Sequence, residues 1–251
     1  MKLGTTVEKL TAALRALLVG TVLVASIACG DEPESGADTS DLTRGLLSAA
    51  GGNAGGGPSG SPSPLRQVSI DDLGFNRGSS EAPIRVIEMS DYGCGYCRQF
   101  HMETFPSLKE EFIDGGIVEW KFVPYVTGMF DNSRAALRAA ECSLEQSPEL
   151  FERINERLWQ EQSAWKGSSD AAGLVRSWAD EAGVDMDEFD ACHTTGRRAD
   201  RITAGAALAQ EIGVRGTPTF LVVGYGPLQG ALPLDTFQRV LRSVQEQVEG
   251  R

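Results

Sequence analysis

The sequence predicts an α/β domain whose sheet is interrupted by a block of helices, and three stretches carry that reading. Ile84 to Met89 is an apolar run of strand character that ends in a short Ser-Asp-Tyr-Gly loop, after which Cys94 and Cys97 stand two residues apart where a helix is due to begin. Residues 131–212 then hold segment after segment with apolar residues at helical spacing. Finally Thr219 to Val223, introduced by Gly216-Thr217-Pro218, returns the chain to a strand.

The front of the chain reads differently from this domain. In residues 1–28, Lys2, Lys9 and Arg15 precede an apolar run from Ala16 to Ala28 that ends in small residues, the pattern of a secretory signal. Thirteen apolar residues are too few to span a bilayer as a stable helix. Ala25-Ser26-Ile27-Ala28-Cys29-Gly30 resembles a bacterial lipoprotein cleavage box, with Ser26 where Leu is usual, so Cys29 is the expected lipidation site. Plain cleavage after Ala28 is the alternative and would leave Cys29 as a free thiol. Residues 29–64, with GGNAGGGPSGSPSP, have too little apolar surface to offset ordering entropy and are expected to form a flexible tether. The whole chain carries a net charge of −12, and loss of the signal leaves about −14. Such acidity argues against a nucleic-acid partner and for a soluble exported domain over residues 65–251, joined to a membrane only through an N-terminal lipid.

Within the domain, Gln67 to Asp72 is expected as a short edge strand, followed by a loop containing Asn76 to Ser80. Ile84 to Met89 suits a central strand covered on both faces. A helix from Cys94 or Gly95 to about Ile113 carries Phe105, Leu108 and Phe112 on one side, is kinked at Pro106 and stops at Gly115-Gly116. Val118 to Val123 is the next strand. The insertion, about 131–212, divides into helices Asn132 to Gln146, Pro148 to Gln162, Asp170 to Ala182, Met186 to Thr194 and Arg198 to Ile212. After Thr219 to Val223, a turn at 224–227 leads to a second hairpin strand around Leu228 to Ala231. The last helix has Pro233 near its start and Phe237, Val240, Leu241, Val244 and Val248 along one face.

The chemistry centres on Cys94 and Cys97. A cysteine at the first turn of a helix meets unpaired N–H groups and the positive end of the helix dipole, and both stabilise its thiolate. The same spacing serves zinc knuckles and haem attachment. Here Arg98 follows Cys97 where haem attachment needs His, and no second C-x-x-C or H-x-x-x-H supplies further zinc ligands. Glu88, six residues before Cys94 in an apolar strand, is a carboxylate that burial would push toward its neutral form, unless it reaches solvent at the strand end. His101 and His193 read as packing or surface residues.

The order of strand, C-x-x-C at a helix start, strand, helical insertion and Gly-Thr-Pro-Thr hairpin resembles the DsbA-like branch of the thioredoxin superfamily, the exported thiol:disulfide oxidoreductases. The similarity covers about Phe75 to Val248 and is marked by APIRVIEMSDYGCGYCRQFH and GVRGTPTFLV. It implies a thioredoxin-like fold with an inserted helical subdomain, behind a signal segment and a disordered tether. It implies Cys94 as the exposed nucleophile, Cys97 as the buried resolving thiol, and Pro218 in cis after Thr217, presenting backbone to an extended substrate strand. Glu88 would exchange protons with the buried cysteine, and Asp91 and Tyr92 would shape the loop and line the substrate groove. Cys142 and Cys192 would form a structural disulfide, a second redox pair being the weaker alternative. The implied activity is that of a monomeric disulfide-forming oxidase of exported cysteine-containing proteins, with a quinone-linked membrane partner and no cofactor beyond the Cys94–Cys97 disulfide. Gly95-Tyr96 between the cysteines and Thr217 before the proline depart from strongly oxidising relatives, which have Pro-His and Val there. They keep an isomerase or reductase of the same fold open. From another class, the alternative is a non-catalytic, tethered peptide-binding module.

Overall fold

A computed structural model describes residues 70–250; the expected signal segment, the tether with Cys29, and residues 65–69 lie outside the described residues. One sheet holds five strands in the order β1-β3-β2-β4-β5, where β1 is Phe75–Arg77, β2 Ile84–Ser90, β3 Val118–Pro124, β4 Thr219–Val222 and β5 Pro227–Gln229. β2 and β3 run parallel, in register from Ile84 opposite Val118 to Ser90 opposite Pro124. Parallel neighbours need a long crossover, and the helical run between them supplies it. The other pairings are antiparallel.

β2 is nearly all apolar because both of its faces are covered. Ile84 and Val86 join Trp120, Phe122 and Phe220 in the larger core, whereas Ile87 and Met89 join Val123 in a second core on the opposite face. Glu88 interrupts this pattern: it stands opposite Phe122 on one side and Phe220 on the other, fully buried on the larger core's face.

The edge strand lies further along than the sequence suggests. Ile70–Asp72 is a short 3-10 turn and the strand is Phe75–Arg77, correcting the expectation of a strand ending at Asp72. The cause is Lys121 of β3, buried to 1% exposure, whose ammonium donates to the carbonyls of Asp71 and Leu73 and holds them in a turn. Burial lowers the Lys121 pKa to about 8. Next in the chain, Arg77 fastens β1 to the helical block through paired bonds of 2.6 and 2.7 Å to Glu152.

Residues 95–113 form one helical run, α1, in four consecutive pieces: Gly95–Gln99, a π turn at Phe100–Thr104, Phe105–Leu108 and a second π turn at Lys109–Ile113. Pro106 cannot donate to an α-helical ladder, and the widened turns on either side accommodate the missing bond where a simple kink was expected. The insertion comprises α2 (Ser133–Gln146), α3 (Pro148–Gln160), α4 (Gln162–Lys166), α5 (Ala171–Glu181), α6 (Met186–Thr195) and α7 (Ala199–Glu211). Side-chain caps fix three of their starts: Ser147, Asp170 and Asp185 accept from the backbone N–H groups of Leu150, Gly173 and Glu188. The helix expected over Pro148 to Gln162 breaks at Glu161 into α3 and α4. Ala204 and Ala209 of α7 cover the sheet's second face; α8 (Leu234–Glu249) adds Phe237, Leu241 and Val244 to the larger core. Among the described residues, no helix is long and apolar enough to cross a membrane.

Candidate active site

The loop between β2 and α1 has little freedom. Asp91, fully buried, accepts from the Gly93 N–H at 2.9 Å through Oδ1 and from the Thr127 N–H and hydroxyl at 2.8 and 2.7 Å through Oδ2. Gly93 is there because a Cβ would come within 2.3 Å of Ser133 Oγ and 2.4 Å of Phe130 Cβ. Gln162 closes the loop from the helical block, its amide donating to the carbonyls of Tyr92 at 2.6 Å and Cys94 at 2.9 Å. Tyr92 is buried at 1% exposure with its hydroxyl on Asn155 Oδ1. It therefore braces the loop and cannot line a substrate groove, which corrects the reading of that residue.

Cys94 caps the first turn of α1 in extended backbone, and Cys97 lies one turn on. Both are free thiols. Cys97 is fully buried, and Cys94 is itself only 4% exposed, less open than an exposed nucleophile would be. Its cover includes the Thr217–Pro218 segment, whose peptide bond is cis; the Cys94 thiol donates to the Thr217 carbonyl at 3.4 Å. Thr217 Oγ1 beside it is buried, and the Cys94 sulfur is the group it faces. Tyr96, between the cysteines, is 68% exposed.

The two thiols are driven apart in acidity. A hydrogen bond from Cys97, then one from Thr217 and the N–H groups of Cys97 and Tyr96, outweigh burial and lower the Cys94 pKa to about 6. Burial first, then the neighbouring Cys94, raises Cys97 far above the ordinary thiol value; Ser90 and the Asp91 backbone pull weakly the other way. Near neutral pH the pair therefore holds a thiolate at Cys94 and a thiol at Cys97. This is the arrangement of an attacking and a resolving sulfur.

Glu88 precedes Ser90 by two residues on β2 and shares its face. Its Oε1 accepts from the Ser90 hydroxyl at 2.5 Å and meets His101 Nε2 at 2.7 Å; its Oε2 accepts from Trp120 Nε1 at 3.0 Å. Burial pushes the carboxyl up, but the His101 charge and the hydrogen bonds from His101, Ser90 and Trp120 together pull it below its ordinary value. Glu88 is thus neither solvent-reaching nor inclined to be neutral. His101 is not a bystander either: it lies flat on Trp159, ring centroids 4.4 Å apart, with Nε2 on the carboxylate.

Cys142 of α2 and Cys192 of α6 are bonded to each other, S–S 1.99 Å, and both are buried. Their place is the helical block, among apolar side chains. Sequence reading assigned no role to Ser90, Trp120 or Gln162. Ser90 was within reach, because two residues along a strand share a face. Gln162 was not, since nothing local ties it to a loop 70 residues away. Among the described residues, no group of three or more His, Cys, Asp or Glu side chains gathers as a metal site.

The thioredoxin family's sequence pattern matches residues 73–242. Disulfide bond formation protein D of Bacillus subtilis is 27% identical over 157 residues, which is 58% of this chain and 65% of that protein. The chain thus spans just under two thirds of that relative's length. A Na(+)/H(+) antiporter, NhaA 3 of Salinispora tropica, is 32% identical over 166 residues, covering 64% of this chain and 24% of that protein. Among solved structures, oxidised BdbD from Bacillus subtilis superposes with a TM-score of 0.62 at 24% identity, over 68% of this chain and 92% of that one.

Proposed function

We propose that this chain, which belongs to the thioredoxin family in its DsbA-like branch, is a protein thiol:disulfide oxidoreductase that forms disulfides in exported proteins. The observation that carries the reading is the split acidity of one dithiol, with Cys94 lowered to about 6 and Cys97 raised beside it under the cis Thr217–Pro218 segment. A stabilised Cys94 thiolate stabilises the reduced form of the protein, which makes its disulfide an oxidant.

In the working cycle a substrate thiolate attacks Cys94 Sγ of the Cys94–Cys97 disulfide. The sulfur–sulfur bond of the protein breaks, Cys97 leaves as a thiolate and takes up a proton, and a mixed disulfide joins Cys94 to the substrate. A second substrate thiolate then attacks the substrate's own sulfur in that bond, and Cys94 departs as the better leaving group. The substrate is oxidised by two electrons and the dithiol remains. Thr217 offers its backbone beside the reacting sulfurs to an extended substrate segment. Glu88 exchanges the Cys97 proton. A quinone-linked membrane partner reoxidises the dithiol, and the secretory-type N-terminus with Cys29 places the domain outside the cytoplasm on a lipid anchor. The Cys142–Cys192 bond braces the helical block.

Gly95-Tyr96 favours a second reading, because this dipeptide is better known from disulfide isomerases than from oxidases. The reduction potential of Cys94–Cys97, measured against glutathione redox buffers, decides between them. A potential near about −120 mV supports the oxidase; one near about −180 mV overturns it in favour of the isomerase, and one near about −270 mV in favour of a reductase. Catalysed reduction of insulin by dithiothreitol, absent in both the natural protein and Cys94→Ser, would leave only the non-catalytic binding module.

A further inference from the structure

The chain contains two histidines, and one of them is buried against a carboxylate in the middle of the fold. A packing histidine has no need of a buried acid, and desolvating both groups is costly unless they are used together. Four aromatic rings surround the imidazole: Trp159 stacks on it, and Phe100, Phe105 and Phe122 meet it at centroid distances of 5.5, 5.1 and 5.4 Å. The charged and titratable groups around this pocket are few. Arg77 of β1 lies over the rings of Phe105 and Phe122 and is neutralised by Glu152. Tyr92 is held by Asn155, and Cys97 stands on the active-site side. Glu88 is the acidic group that meets the ring directly.

A single oxygen collects both contacts. Ser90 Oγ and His101 Nε2 converge on Glu88 Oε1, and Ser90 also neighbours Cys97, whose thiol it pulls weakly down in pKa. We propose that the proton exchanged with Cys97 is stored on a Glu88–His101 pair and travels through the Ser90 hydroxyl, so that His101 and Ser90 belong to the machinery of the resolving step. This rests on the oxidoreductase reading above and deepens it.

When Cys97 attacks a mixed disulfide at Cys94, its S–H proton passes to Ser90 Oγ as the Ser90 proton passes to Glu88 Oε1. The Cys97–Cys94 bond forms, and the partner sulfur leaves as a thiolate. The protein loses two electrons over the whole reaction and the partner disulfide gains them. The proton then belongs to the Glu88–His101 pair, held in the short Oε1···Nε2 contact. In the opposite direction the pair returns that proton along the same path to the departing Cys97 thiolate.

Mixing the reduced protein with oxidised glutathione separates the steps by acid quench and mass analysis. The first phase is glutathione addition at Cys94, and the second is ring closure by Cys97. His101→Gln should leave the first phase unchanged, slow the second about tenfold and change the shape of the second phase's pH profile. The double variant with Glu88→Gln should be no slower than Glu88→Gln alone, because groups acting as one unit do not multiply. Ser90→Ala, which removes the bridge and keeps the pair, should slow the second phase similarly and serves if His101→Gln does not fold. An unaltered second phase and pH profile in His101→Gln or in Ser90→Ala, or multiplying effects in the double variant, overturns the proposal. Failure of the natural protein to show any first phase sinks the oxidoreductase reading instead, and this proposal with it.

Discussion

The thiols of Cys94 and Cys97 sit within one turn of a helix start, whereas Cys142 and Cys192 join two helices across 50 residues of sequence. Both pairs are buried, so exposure does not separate them. Polar surroundings do. The first pair has helix N–H groups, Thr217 and Ser90 beside it, which help assign different charges to the two sulfurs. The second sits among apolar side chains, where a thiolate would have no support. A cysteine pair becomes reactive through asymmetry in its neighbours, and becomes a brace when the neighbours offer nothing to ionise against.

The contrast breaks most visibly on substitution. Cys94→Ser should abolish catalysed insulin reduction, while the double variant Cys142→Ala/Cys192→Ala should keep turnover within about twofold, since well-separated sites act independently. The same double variant should lose about 4 kcal/mol of stability, the loop-closure entropy of a chain cross-linked across 50 residues, read as an earlier denaturant midpoint. Turnover that falls along with stability would show that the second pair also carries electrons.

A pH titration sharpens the contrast further. Cys94 ionises at about 6 in the folded dithiol form, and an unfolded cysteine at about 8.5. The folded value is depressed, so the stabilisation of the reduced form is fully present above about pH 8.5 and is lost as pH falls through about 6. Cys97 works the other way: its raised pKa keeps it protonated when folded, and stability falls as pH rises past about 8.5. The oxidised protein has neither thiol to titrate. Denaturation of both forms should therefore show the reduced one gaining on the order of 3 kcal/mol over the oxidised one between about pH 6 and 8.5, then levelling or declining. Parallel curves would mean that Cys94 is an ordinary thiol.

The fold was legible because its signals are local. Pro148 after Ser147, Asp170, Asp185 and Gly196 mark helix ends by the chemistry of their own caps, and the apolar run of β2 announces a strand covered on both sides. The edge strand was misplaced because Lys121, some 50 residues away, turns the backbone of Asp71 and Leu73. The site divides along the same line. Cys94, Cys97, Thr217 and Pro218 lie in short motifs that name themselves, and the structure brings them together. The charge of Glu88 depends on His101 and Trp120, which reach it from another helix and another strand. A burial rule applied to Glu88 alone gave the wrong direction, because it counted desolvation without those partners.

The smallest expected effect tests whether the two regions communicate at all. Gln162 is the point where the helical block touches the reactive loop, with both amide hydrogens on the carbonyls of Tyr92 and Cys94. Gln162→Ala removes two buried hydrogen bonds, although the Cys94 carbonyl keeps the Arg98 N–H at 3.1 Å, so about 1–3 kcal/mol of stability should be lost. The loop that aims the Cys97 and Tyr96 N–H groups at the Cys94 sulfur then loosens, and the midpoint of Cys94 alkylation should rise from about 6. Alkylation across pH, quantified by mass spectrometry, reads that midpoint independently of unfolding. A stability loss with no change in midpoint would make Gln162 a packing contact and the helical block a bystander to the sulfur chemistry. A raised midpoint would make the insertion, braced by Cys142–Cys192, part of what keeps Cys94 ionised.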